Sequence, residues 1–93
     1  MKNYYKEAER ILLREKHIEY YDDGKIEAIY YTINDKLDGE FKEWHLNGQL
    51  YTHCFYKNNR LNGKYKTWNR DGHLCEYCIY KKGKRIEDLL ARG

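Results

Sequence analysis

The chain contains no proline, no serine and no valine. Without serine there is no serine nucleophile, and the turns rest on Gly, Asn and Asp. Aliphatic residues are also scarce: Leu, Ile and Phe together number 18 of 93. So little apolar side chain is a mark of disorder only when net charge is high, and here it is +3. Eleven Tyr and two Trp make up the deficit. An aromatic ring buries roughly 150–250 Å², so a thin, aromatic-rich core is expected in one small domain. No run reaches the ~18 apolar residues of a membrane helix, and no apolar leader is visible at the start. Three Cys is an odd number, which fits a reducing, cytoplasmic setting better than a disulfide framework.

What is present is a repeat of 24 residues. "GEFKEWHLNGQLYTHCFYKNNRLN" runs from Gly39 to Asn62, and "GKYKTWNRDGHLCEYCIYKKGKRI" from Gly63 to Ile86. The two rows share eight identities: Gly39/Gly63, Lys42/Lys66, Trp44/Trp68, Gly48/Gly72, Leu50/Leu74, Cys54/Cys78, Tyr56/Tyr80 and Lys57/Lys81. A degenerate first row spans Glu15–Asp38 and keeps Gly24 in the Gly48/Gly72 column. A terminal unit has one neighbour instead of two, so degeneracy there is expected.

Each row carries two turns. Asp23-Gly24, Asn47-Gly48 and Asp71-Gly72 are Asx-Gly hairpin signals, in which both central positions tolerate φ > 0. Halfway along each period, Asp35–Gly39 and Asn58–Gly63 are polar and end in Gly, and Lys81–Lys84 is the third version. Two turns per period give two strands per period, near 17–22, 25–33, 40–45, 49–57, 64–69 and 73–81. Connections this short join antiparallel neighbours. The expected fold is mainly β, a single-layer antiparallel meander of about six strands. Residues 2–15 have helical spacing, with Asn3 as a possible cap, and are expected to lie over the first hairpin and protect that edge. Ile86, Leu89 and Leu90 suggest a short helical turn within a C-terminal cap at 87–93. Alternation puts Leu50, Thr52, Cys54 and Tyr56 on one face and Tyr51, Phe55, Tyr77 and Ile79 on the other. Phe41 and Trp44 differ in parity, which points to a bulge between them.

The pattern G-x-[FY]-K-x-W-x-x-[ND]-G-x-L, followed by an aromatic-rich strand and a turn back to Gly, resembles the MORN variant repeat. Such repeats are known from bacterial proteins of the YwqK antitoxin-like type and, as long tandem arrays, from amoeba-infecting giant viruses. The segment "GEFKEWHLNGQLYTHCFYKNNRLNGKYKTW" is most similar to the viral arrays. The resemblance covers about residues 20–86. It implies a reused scaffold, in a host-cell cytoplasm or virion if the source is viral, and names no function by itself. The pattern has fewer glycines than the MORN type proper, so lipid binding does not carry over.

For chemistry, the residues offer little. Glu40, Glu43, Asp71 and Glu76 are scattered among Lys at the density of a solvated face, so catalysis is not expected. His73, Cys75 and Cys78 form H-x-C-x-x-C one period after His53 and Cys54, but inside a strand positions 75 and 78 point to opposite faces. Neither a metal nor any other cofactor is expected, and no small-molecule substrate. "KYKTWNR" and "YKKGKR" interleave cations with rings, as single-strand binders do, and Lys81, Lys82, Lys84 and Arg85 could meet an anionic membrane. The charge is small for either. The reading that remains is a non-enzymatic protein–protein interaction or assembly scaffold, working through self-association or a protein partner. The alternative is an antitoxin-like inhibitory partner. The candidate surface is Trp44, Tyr51, Phe55, Trp68, Tyr77 and Ile79, held by structural turns at Gly24, Gly39, Gly48, Gly63 and Gly72.

Overall fold

A computed structural model describes residues 3–91, with side chains from Lys6 onward. Lys2 of the expected helix, Arg92 and Gly93 of the expected cap, and the side chains of Asn3, Tyr4 and Tyr5 lie outside the described residues. A helix, α1 (Asn3–Leu12), precedes β1 (Glu15–Tyr20), β2 (Ile26–Ile33), β3 (Lys36–Leu37), β4 (Gly39–Trp44), β5 (Leu50–Lys57), β6 (Arg60–Trp68), β7 (Leu74–Lys81) and β8 (Lys84–Asp88). The strands form one antiparallel sheet in the order β1-β2-β4-β5-β6-β7-β8, with β3 pairing β2 beside β4. The described chain measures 45 × 41 × 15 Å. Stacked sheets lie about 10 Å apart, so 15 Å holds a single layer with its side chains.

All six expected strands form, and two are added. The short β3 continues the hairpin out of β2. The other, β8, replaces the expected helical turn at Ile86. Lys82 and Gly83 both take positive φ, 52° and 83°, and this two-residue turn sends the chain back along β7 with Lys81 opposite Lys84 and Ile79 opposite Glu87. Pairing with an open sheet edge outweighs the helical spacing of three apolar residues. Leu89 extends the ladder by donating to the Tyr77 carbonyl at 2.8 Å.

The two kinds of turn are the reverse of the sequence expectation. The half-period turns Asn34-Asp35, Asn58-Asn59 and Lys82-Gly83 have φ > 0 at both central positions, the two-residue hairpin geometry. In the Asx-Gly turns only the glycine does: Gly24, Gly48 and Gly72 have φ of 90°, 89° and 88°. These are longer loops, each closed by a repeated pair of bonds. His45 donates to the Gln49 carbonyl at 2.8 Å and Gly48 to the His45 carbonyl at 2.9 Å, and Tyr21–Lys25 and Asn69–His73 do the same. The Asx side chain therefore serves as an acceptor instead of tolerating strain: Asn47 Oδ1 takes the Gln49 N–H at 2.9 Å, and Asp23 Oδ1 takes that of Lys25 at 3.0 Å.

The parity conflict at Trp44 resolves as a register shift between Glu43 and Trp44, repeated between Thr67 and Trp68. Phe41 therefore lies opposite Cys54 while Trp44 lies opposite Leu50.

Successive repeats are bonded by equivalent groups 24 residues apart. Asp38 Oδ2 accepts the Asn58 N–H at 3.2 Å, and Asn62 Oδ1 accepts the Lys82 N–H at 3.3 Å. The Leu37 carbonyl accepts the Asn59 N–H, and the Leu61 carbonyl that of Gly83, each at 2.9 Å. On the opposite rim the Tyr21 hydroxyl donates to the Trp44 carbonyl at 2.5 Å, and His45 Nε2 donates to that of Trp68 at 2.8 Å. These bonds do much of the work of a core. Among the described residues, the only buried apolar side chains are Ala28, Cys54 and Cys78.

Helix α1 is not laid over the first hairpin as expected. Arg10 and Arg14 both pair with the buried Asp38, Arg14 at 3.0 Å, and Glu7 reaches Lys57 at 3.8 Å. The tether runs to the start of β4 and the end of β5, and β1 remains an edge strand. Ile11, Leu12 and Leu13 stay exposed. The buried carboxylate that ends the degenerate first row wins the helix because its charge needs compensation.

Candidate interaction surface

Antiparallel partners share a face, so the register assigns the regularly paired side chains to one face or the other. One face carries a row of rings that runs across the sheet: His17, Tyr30, Phe41, Tyr56, Tyr65 and Tyr80. His17 stacks on Tyr30 with centroids 5.0 Å apart, Tyr30 on Phe41 at 5.8 Å, and Phe41 meets Tyr56 edge-on at 5.5 Å. Tyr65 meets Tyr80 the same way at 5.5 Å. Small residues oppose the large ones. Phe41 lies opposite Cys54 and Tyr56 opposite Gly39; one period on, Tyr65 opposes Cys78 and Tyr80 opposes Gly63. A ring covering a glycine in the neighbouring strand restores the packing that the glycine lacks.

Hydroxyls and carboxylates fill the remaining positions on this face. Thr52 Oγ1 donates to Glu43 at 2.8 Å, and Thr67 Oγ1 to Glu76 at 2.9 Å, with the acid and the hydroxyl exchanged between strands in the two repeats. Burial, with the Glu43 carboxylate adding to it, pushes the Cys54 thiol up to about 12. A thiol held neutral is a poor nucleophile and a poor metal ligand. Burial likewise pushes Tyr65 up to about 12, helped by Glu76, so this ring also stays uncharged.

The opposite face carries the candidates Phe55, Tyr77 and Ile79, but as separate residues and not as a stripe. Glu40 pairs with Phe55, Lys66 with Tyr77, and Lys64 with Ile79. Lys66 Nζ lies 4.6 Å from the Tyr77 ring centre, and His53 tilts against Phe55 at 5.3 Å while its Nε2 meets Glu40 at 2.8 Å. Tyr51 is displaced by the shift next to Trp44 and stacks on His45 at 4.4 Å.

Trp44 has a different setting. With Lys25, Ile26, Ile29, His45 and Gly48 it lines an open, almost wholly apolar cavity of about 390 Å³. The surroundings of the Trp68 turn differ. There Gln49 stands where Lys25 stood, and its Oε1 comes within 3.0 Å of the place a Gly72 Cβ would occupy. Around Gly48 that place is open.

The sequence reading missed the ring row as a unit, although it put Cys54 and Tyr56 on one side. The available signal was the column His17/Phe41/Tyr65, one period apart, set against the Tyr56/Tyr80 column with the strand pairing counted through. The H-x-C-x-x-C residues are dispersed. Cys78 is buried, whereas Cys75 is exposed with its Sγ 3.6 Å from the His73 carbonyl. Among the described residues no group of three or more His, Cys, Asp or Glu comes together to hold a metal. Of the basic candidates, Lys81 and Lys82 line a cleft on the turn rim, while Arg85 lies 3.6 Å from Asp88. Among the described residues, no helix is long and apolar enough to cross a membrane.

No curated protein and no solved structure matches the chain. A family model does, that of the MORN repeat variant, at residues 16–34, 37–58 and 61–82. Its three units fall on the three hairpins β1–β2, β4–β5 and β6–β7. Repeats of this type are typically non-catalytic binding modules. With the model matching over most of its length and the 24-residue bonding pattern to account for it, the chain belongs to the MORN repeat variant family.

Proposed function

We propose that the protein is a non-enzymatic interaction scaffold that binds another protein, or a second copy of itself, through its open sheet. The observation that carries this reading is the apolar cavity beside Trp44. A one-layer sheet has no second layer to cover such a feature. Pockets of this kind, walled by Trp and aliphatic side chains and rimmed by polar groups, receive the anchor residues of protein interfaces. The half-buried rings of both faces extend the surface around it, since Tyr and Trp join an apolar body to a polar tip. The ring row and the Cys54 thiol favour binding over catalysis, because burial holds Cys54 and Tyr65 in their neutral forms.

The test is association measured by size-exclusion chromatography with light scattering, over a wide concentration range and with any co-purifying protein retained. Trp44→Glu, Phe55→Glu and Trp68→Glu should stay folded, and Trp44→Glu should abolish the association. A wild type that remains a lone monomer, together with variants that unfold, would assign these residues to the core and end the proposal.

A further inference from the structure

The rim formed by the two-residue turns carries an unusual charge. Lys36, Lys57, Arg60, Lys81 and Lys82 line one open cleft of about 640 Å³, and no carboxylate lines it among the described residues. Its five cations exceed the net charge of the whole chain, +3, so the rest of the molecule is net acidic. Elsewhere the sheet alternates its charges, as in Lys42 beside Glu40 at 3.8 Å. On the rim Glu7 reaches Lys57 at 3.8 Å, while Lys36, Arg60, Lys81 and Lys82 share a cleft wall that holds no carboxylate among the described residues. Clustered like charges oppose folding unless a counter-charge is bound.

The cleft is also built by the repeat and not scattered over it. Lys57 and Lys81 are one period apart, as are Lys36 and Arg60. The Arg60 stem lies across the next turn, with its Cβ 3.6 Å from where a Gly83 Cβ would stand. Asn62, which also lines the cleft, uses Oδ1 to hold the Lys82 N–H at 3.3 Å. Asn58 is fixed in the same way by Asp38. The cations therefore project from turns whose backbone is already bonded.

We infer that this cleft binds a free oligophosphate, an anion with two or more linked phosphate groups. Lys57 and Lys81 stand on strands two apart, roughly 10 Å at ~4.8 Å per strand. A chain of phosphates can meet both with their stems apart, whereas a single phosphate would have to draw the two like charges together. Arg60 supplies the forked donor that matches phosphate oxygens, and the lysines supply point charges. This ligand lies outside the scaffold reading and does not depend on it.

Calorimetric titration with inorganic tripolyphosphate at low salt is the test. Tripolyphosphate should bind, and orthophosphate should bind at least about tenfold more weakly. A charge-assisted hydrogen bond is worth about a factor of ten or more, so Arg60→Gln and Lys81→Gln should each weaken binding about tenfold. Lys16→Gln and Arg70→Gln, on β1 and on the opposite rim, should leave it unchanged. All four side chains are exposed or at the surface, and melting temperatures will show that the variants fold. Absence of tripolyphosphate binding overturns the inference. So does an equal loss in all four variants, which would mean that only net charge matters. Binding confined to vesicles of anionic phospholipid, or to single-stranded DNA, with tripolyphosphate inert, also overturns it.

Discussion

Replacing Asp38 separates two jobs that one carboxylate performs. The side chain is 1% exposed. It pairs with Arg10 and Arg14, and its Oδ2 accepts the Asn58 N–H at 3.2 Å. In the next repeat Asn62 keeps the second job alone. Asp38→Asn therefore imitates a substitution already present in the chain and removes only the charge. Hydrogen bonds to charged groups contribute about 1.5–3 kcal/mol. The two arginine side chains are about a quarter exposed, 23% and 26%, so solvent screens part of this. Asp38→Asn should cost about 1–2 kcal/mol, and Asp38→Ala, which also strands the turn N–H, about 3–4 kcal/mol. At ~4–8 °C per kcal/mol for a domain of this size, the melting temperatures should fall by roughly 5–15 °C and 15–30 °C. Circular dichroism during the melt should show that Asp38→Asn loses helix before sheet. Combining Asp38→Asn with Arg10→Met and Arg14→Met should cost little more than Asp38→Asn alone, because the partners are already uncoupled. An Asp38→Asn variant as stable as the wild type would refute the helix tether. Equal melting of Asp38→Asn and Asp38→Ala would refute the bond between repeats.

Three further outcomes are expected. Gly48→Val and Gly72→Val should each destabilise by more than ~1 kcal/mol, because φ near 89° and 88° excludes a β-branched residue, and unchanged melting of both would contradict the turn geometry. Stability should decline in alkali: Cys54 rises from 9.0 and Tyr65 from 10.0, each to about 12. A raised folded pKa stabilises fully below the unfolded value and is lost as pH climbs through the folded one, so the loss should span about pH 9–12, and Tyr65→Phe should flatten it while leaving neutral stability nearly unchanged. Under native conditions a thiol reagent should label Cys75 quickly and Cys54 and Cys78 only on unfolding; rapid labelling of all three would show that the ring face is open.

Much of the fold was legible because its signals are local. The 24-residue period, the turn glycines and strand alternation each occupy a few neighbouring residues, and they specify a meander without long-range information. What escaped was set by contacts distant in sequence. The tether between α1 and Asp38 joins residues 28 and 24 apart, and helical periodicity does not say which carboxylate a helix will find. The last strand escaped because Ile86, Leu89 and Leu90 have helical spacing, whereas the deciding feature is the φ of Lys82 and Gly83 against an unpaired β7 edge. The site was half legible. Alternation placed Phe55, Tyr77 and Ile79 on one face, but only the register shows Lys64, Lys66 and Glu40 standing between them. The cavity at Trp44 is lined by Lys25, Ile26, Ile29 and His45, where the next repeat has Gln49, Leu50, His53 and Asn69, differences that identities between repeats do not weigh.

The central claim is that the surface around Trp44 is for binding and not for folding. Measuring Trp44→Glu for both melting temperature and association, in one preparation, tests it most directly. The account predicts a sheet that melts within a few degrees of the wild type, at most ~1 kcal/mol of cost, together with loss of the dimer or bound protein. A variant that unfolds, or one that keeps its association unchanged, would contradict it.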